Sequence, residues 1–170
     1  MKYSGIIKDD IANGTGIRTS LFVSGCRNNC PGCFNKDAQD FNYGEEFTDK
    51  VIEDIIESVN SPYYAGITIL GGDPMEPENA EALLPLVNKF RERYNFDKDI
   101  WIYTGYLYED ILRLSNDDPR KKLLFETDVL VDGPFIMSLK DITLKFRGSS
   151  NQRIIDCTKS CINEIIELGE

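Results

Sequence analysis

The chain is 170 residues long with 41% hydrophobic and 28% charged residues, a composition ordinary for one soluble globular domain spanning residues 1–170. Its net charge of −10 sets an average field that repels polyanions, which argues against nucleic acid as a partner. Histidine is absent, which excludes the commonest zinc ligand, the commonest general base and every nucleophilic mechanism that relies on imidazole.

In chain order, the N-terminus lacks a basic-then-apolar leader, and apolar stretches such as residues 67–70 and 129–131 are far too short to cross a bilayer. No membrane contact and a cytoplasmic location are therefore expected. "RTSLFVS", residues 18–24, predicts a strand that breaks at Ser24-Gly25. From Thr48 the apolar residues Val51, Ile52, Ile55, Ile56 and Val59 recur at helical spacing, with Thr48 placed as cap and Ser61-Pro62 as terminator. "GITILGGDP" predicts a strand over 67–70 that ends in two glycines, and Pro77 opens a helix to about Arg93 that Pro85 should kink or shorten. "DIWIYTG" predicts a strand over 100–104 and Leu107 to Leu114 a helix. "TDVLVDGPF" predicts a fourth strand ending at Asp132, and the remainder a last short strand and an end helix.

Strands alternating with helices imply parallel pairing through right-handed crossovers. Four or five such units cannot close an eight-unit barrel, so the expected fold is α/β, an open, curved partial barrel. Chemistry in such folds collects beyond the C-terminal ends of the strands. The cysteines, Gly71-Gly72-Asp73, Thr104-Gly105 and Asp132-Gly133 all fall at that edge.

"SGCRNNCPGCFN", residues 24–35, holds Cys26, Cys30 and Cys33, three of the five cysteines. A reducing compartment disfavours disulfides, so clustered thiols read as metal ligands or redox groups. Thiolates favour iron–sulfur clusters, zinc and copper(I). A closed zinc site needs a fourth ligand such as Asp37, which a chain without histidine supplies poorly.

The spacing C-x3-C-x2-C together with "GGDP" resembles the radical S-adenosylmethionine superfamily. There, three cysteines hold a 4Fe-4S cluster and the fourth iron is chelated by the amino and carboxylate groups of S-adenosylmethionine, the cosubstrate. The ordered blocks "NGTGIRTSLFVSGCRNNCPGCFN", "GGDP", "DIWIYTGY", "VLVDGPF" and "FRGSSNQRIID", spread from Asn13 to Asp156, resemble one family within it, the anaerobic ribonucleoside-triphosphate reductase activators. The resemblance implies a shortened radical-type partial barrel. It implies reductive cleavage of S-adenosylmethionine to a 5'-deoxyadenosyl radical, and a glycyl radical on the partner reductase, with flavodoxin or ferredoxin as the type of electron donor.

Carried onto this sequence, the resemblance makes Cys26, Cys30 and Cys33 the cluster ligands and places Gly71, Gly72 and Asp73 at the methionine ammonium. Gly32 stands where many superfamily members carry an aromatic residue, and Phe34 supplies either a surface for the adenosine or plain packing beneath the loop. Thr104 and Asp132 match positions that bind a monovalent cation near the cosubstrate in related activators. Tyr103 stands where an acidic cation ligand is expected, and the question of a cation stays open. Arg147, Asn151 and Arg153 suit either the cosubstrate carboxylate, the protein substrate or plain solvated surface. Cys157 and Cys161, four apart, lie outside the motif. The rival readings are an activator of another glycyl-radical enzyme of the pyruvate formate-lyase type, an iron–sulfur electron carrier, and a zinc-binding module.

Overall fold

The apolar runs predicted as strands form the parallel centre of a sheet, because each carries β-branched residues that pack well on a pleated surface. The computed structural model describes residues 1–169. In it, β1 (Lys2–Asp10), β2 (Ile17–Val23), β3 (Glu45–Glu46), β4 (Tyr64–Gly71), β5 (Asp99–Tyr103), β6 (Val129–Asp132) and β7 (Arg153–Asp156) join four helices. These are α1 (Asp49–Ser58), α2 (Pro77–Tyr94), α3 (Tyr108–Leu112) and α4 (Pro119–Phe125). The strands lie in one open sheet in the order β3-β1-β2-β4-β5-β6-β7. Pairs β2–β4, β4–β5 and β5–β6 are parallel; β1, β3 and β7 join antiparallel.

Alternation along each strand sorts its side chains between two faces. Leu21, Val23, Ile67, Ile69, Ile100, Ile102 and Leu130 point to a core shared with Ile52 and Ile55 of α1, Leu83, Leu86 and Phe90 of α2, Ile111 of α3 and Leu124 of α4. Each such buried Leu or Ile contributes about 1.5–3 kcal/mol against leaving it in water. On the opposite face Trp101, Val129, Val131 and Ile154 pack with Tyr103, Phe146 and Leu168, the last two from loop and tail. All four helices therefore supply buried residues to one face of the sheet.

Several elements differ from the sequence expectation. β1 and β3 were not foreseen: Lys2–Asp10 is mostly half-buried or exposed and shows no strong apolar alternation. α4 is additional, and its start carries a legible signal, Asp118 capping Arg120 N–H with Pro119 in the first turn. α2 is not shortened at Pro85 but runs 18 residues through it. The carbonyl left without its helical donor by Pro85 belongs to Glu81, an exposed residue, so solvent can replace the lost bond. Among the described residues the expected end helix does not form. The tail instead folds back on β7, with Asp156 N–H donating to Ile166 C=O at 2.9 Å and Leu168 N–H to Ile154 C=O at 2.7 Å. This backbone covers the free edge that an end helix would have left open.

Candidate functional site

Val23, the last residue of β2, is level with Gly71, the last of β4, so both chains leave the sheet side by side. Gly72 N–H donates to Val23 C=O at 2.7 Å and Asp73 N–H to Gly25 C=O at 2.8 Å, which zips the two loops together. This closeness requires glycine. A Cβ on Gly72 would stand 2.5 Å from Gly25 O and 2.8 Å from Ala38 O. Gly71 adopts a φ of +109° that side chains rarely take.

Beyond β2 the chain forms the loop that carries Cys26, Cys30 and Cys33, all three half-buried. Burial pushes the Cys26 thiol up to about 11; the Asn28 backbone N–H opposes the shift and the Asp73 and Glu76 carboxylates add to it. A cation is needed to hold it as thiolate, as for any metal-binding cysteine. Among the described residues, no three His, Cys, Asp or Glu side chains converge as they would on one metal ion. The donor set, three accessible thiols and no histidine, suits iron–sulfur binding.

The loop is fixed from beneath by the start of α2. Asp73 is buried, and its carboxylate accepts four bonds: Met75 N–H at 2.9 Å and Thr104 Oγ1–H at 2.7 Å on one oxygen, Asn28 Nδ2–H at 2.7 Å and Gly105 N–H at 2.9 Å on the other. Burial nonetheless pushes this carboxyl up to about 6. Buried Glu76 accepts Arg27 N–H at 2.7 Å and Arg27 Nη1 at 2.6 Å, and Glu78 accepts the second guanidinium nitrogen at 2.6 Å. Buried Asn79 donates to the carbonyls of Ser24, Gly25 and Asp73. Asn28, Glu76 and Asn79 escape sequence reasoning because isolated amides and a helix-start glutamate are common on any surface. The Glu76-Pro77 pair at the mouth of a helix is the one local hint.

The structure thus gathers Cys26, Cys30, Cys33, Gly32, Phe34, Gly71, Gly72, Asp73 and Thr104 at one edge, in different postures. Asp73 is filled by donors from the chain itself rather than presented to a ligand. Thr104 is buried against it, and its hydroxyl also accepts Tyr106 N–H at 3.1 Å. Gly32 has a φ of +74° and lies against the Met137 side chain. Phe34 is 87% exposed, so packing beneath the loop is excluded.

Asp132 is fully buried in an ion cluster. Arg153 donates to it through Nε at 3.0 Å and Nη2 at 2.5 Å, Tyr108 N–H at 2.9 Å completes its bonds, and the same guanidinium grips Glu109 at 2.7 and 3.0 Å. Asp132 and Arg153 are therefore committed to each other in this structure. Asn151 donates to Pro134 C=O at 2.8 Å and Arg147 to Gln152 C=O at 2.8 Å, bracing the connection between β6 and β7.

Cys157 and Cys161 lie elsewhere. β7 runs antiparallel to β6, with Arg153 beside Asp132 and Asp156 beside Val129, so the chain reaches Cys157 at the opposite end of the sheet. Both cysteines line a cleft of about 500 Å³ with Phe96, Leu112, Lys121 and Phe125. They stand at the wrong end of the sheet to complete the three-cysteine loop.

The family described as a 4Fe-4S single cluster domain matches residues 12–155, a span that contains the loop cysteines and stops short of the other two. The chain is 40% identical over 154 residues to the anaerobic ribonucleoside-triphosphate reductase-activating protein of Escherichia coli (strain K12), covering 89% of this chain and 96% of that one. The protein of the same description from Haemophilus influenzae is 39% identical over 156 residues, with 91% and 97% covered. That of Enterobacteria phage T4 is 37% identical over 154 residues, with 91% and 93% covered. By the family match and these relatives, this chain belongs to the anaerobic ribonucleoside-triphosphate reductase-activating proteins, a family with a 4Fe-4S cluster domain.

Proposed function

We propose that this protein activates an anaerobic ribonucleoside-triphosphate reductase by generating a glycyl radical on it, as a radical S-adenosylmethionine enzyme. The observation that carries the reading is the three-cysteine loop itself. It is half-exposed and anchored at the C-terminal edge of the parallel strands, while the remaining cysteines stand at the other end of the sheet. Cys26, Cys30 and Cys33 would hold a 4Fe-4S cluster through three thiolates, which would leave it open to S-adenosylmethionine as cosubstrate. The open sheet with all helices on one face supports a shortened radical-type partial barrel.

A cluster bound there would, once reduced by a low-potential donor of the flavodoxin or ferredoxin type, supply the electron for reductive cleavage of S-adenosylmethionine, the chemistry needed to remove hydrogen from the partner's glycine. The chain's own residues hold and shield. Glu76, Asn79 and Asp73 fix the backbone from Ser24 to Asn28, so the thiolates keep their spacing. Gly71 and Gly72 let the two loops close on each other, which sets the cysteine loop beside the start of α2, where the methionine end of the cosubstrate would be received. Gly32 and Phe34 lie on the side where the adenosine is placed. Asp73 and Thr104 act as positioning residues, each held by partners within the chain. Asp132, gripped by Arg153, holds α3 and β7 together rather than meeting the cosubstrate.

The test is electron paramagnetic resonance of anaerobically reconstituted protein with reductant, S-adenosylmethionine and purified reductase. A glycyl radical is expected on the reductase, with methionine and 5'-deoxyadenosine as products. Cosubstrate cleavage without a radical on the reductase would contradict the partner; no cleavage at all would contradict the enzyme class.

A further inference from the structure

We propose that the segment from Ile136 to Ile142, in the connection between β6 and β7, is the surface on which the partner's glycine-bearing polypeptide docks. The inference rests on the function proposed above and names where that reaction's protein substrate is received.

The segment shows four apolar side chains to solvent: Ile136 is 37%, Met137 50%, Leu139 41% and Ile142 90% exposed. It is not a loose loop. Ile136 N–H donates to Ser149 Oγ at 3.2 Å, Ser150 N–H to Leu139 C=O at 2.9 Å, and Gln152 Nε2 to Gly133 C=O at 3.0 Å. Met137 to Leu139 form one turn of 3-10 helix. The residues after it thus hold these four exposed apolar side chains in an ordered backbone. Four large apolar side chains exposed within seven residues of ordered backbone are the kind of surface that interaction sites use.

What covers it follows from its place. Met137 lies against Gly32 inside the cysteine loop, so this surface continues directly into the candidate radical site, where Phe34 is 87% exposed. The chain alone leaves that loop half-open, whereas radical chemistry needs solvent excluded. The cover must arrive with the reaction and must itself deliver the hydrogen, which only the substrate polypeptide does. A second copy of this chain seated there would block the substrate instead. Lys140 and Asp141 cancel within the segment, so on a chain of net charge −10 it is a neutral, apolar stretch that does not repel an approaching polypeptide.

The experiment uses the full chain, reconstituted with its cluster, carrying Ile142→Asp, Leu139→Asp or both, with Ile142→Leu as the conservative control. Iron content, cleavage of S-adenosylmethionine without partner, sedimentation and glycyl-radical yield against reductase concentration are measured. A carboxylate forced into an apolar contact loses its hydration, so the half-saturating reductase concentration should rise about tenfold or more. Iron content and partner-free cleavage should stay unchanged, and Ile142→Leu should behave as the parent. Unchanged reductase dependence in the double variant overturns the proposal. A change in oligomeric state, with partner dependence intact, overturns it in favour of self-association. Failure of the unaltered protein to form a glycyl radical overturns the function proposed above, and this docking surface with it.

Discussion

The two edges of the sheet carry different polar frameworks. At the cysteine edge, carboxylates receive backbone N–H groups: Asp73 from Met75 and Gly105, Glu76 from Arg27, Asp132 from Tyr108. At the far edge some carboxylates do the same, Asp128 from Ile100 and Asp10 from Ala12, but buried and partly buried cations are added that donate to backbone carbonyls. Arg18 donates to Thr15 and Ile67, Arg91 to Lys98 and Glu126, and Lys98 to Ser61 and Tyr64. Helix direction accounts for two of these bonds: Tyr108 N–H opens α3 near the cysteine edge, and the Glu126 carbonyl closes α4 near the far edge. Two sets of cysteines sit on these edges, and only the set backed by fixed backbone has the makings of a site.

Losing a loop cysteine is the sharpest way to break this comparison. Cys30→Ala should lose nearly all iron and sulfide on anaerobic reconstitution, whereas Cys157→Ser and Cys161→Ser should retain the parent's content; equal losses from both sets would erase the distinction. Next in size is Arg18→Met at the far edge. Arg18 is buried, pairs with Asp99 at 2.5 Å and bonds Thr68 Oγ1 at 2.7 Å, so its removal strands a carboxylate and several carbonyls. Urea unfolding should show a loss of about 3–5 kcal/mol, with the cluster content of the folded fraction unaltered.

A smaller effect is expected at the cysteine edge from Asp73→Asn, which leaves some of its four donors facing an amide nitrogen. A stability loss of about 1–3 kcal/mol should appear in the same unfolding measurement, together with faster release of iron to a chelator. Faster release distinguishes a positioning role from a purely structural one. The smallest effect concerns the ion cluster. Hydrogen bonding to Arg153 lowers Glu109 from 4.5 to about 2. The folded state therefore binds fewer protons than the unfolded one between those values, and the pairing stabilises above about pH 4.5 and is lost as pH falls toward 2. The contribution, partly solvent-screened, is about 1 kcal/mol, and Glu109→Gln should flatten stability across that window.

The parallel centre was legible because residues 18–24, 67–70, 100–104 and 129–132 are short apolar runs ending in turn residues, and Thr48 does cap α1, accepting Val51 N–H at 3.4 Å. What escaped was set by tertiary contact. β1 and β3 are paired edge strands without a strong pattern of their own, and residues 157–169 look helical by spacing yet serve β7 as a backbone partner. In the site, the cysteine spacing and the two glycines stood out. The roles of Asp73 and Asp132 did not, because sequence shows a carboxylate but not the donors that already fill it. Asn28 and Asn79 carried no signal, since an amide's importance here lies in which carbonyl or carboxylate it reaches.

The central claim is that the three-cysteine loop serves hydrogen abstraction from a partner's glycine. It is tested most directly by supplying reductase deuterated at its glycines to the reconstituted protein with reductant and S-adenosylmethionine. The account predicts deuterium in the 5'-deoxyadenosine released, in proportion to the glycyl radical formed. Glycyl radical formed with only unlabelled 5'-deoxyadenosine, or no radical with the cluster intact, would contradict it.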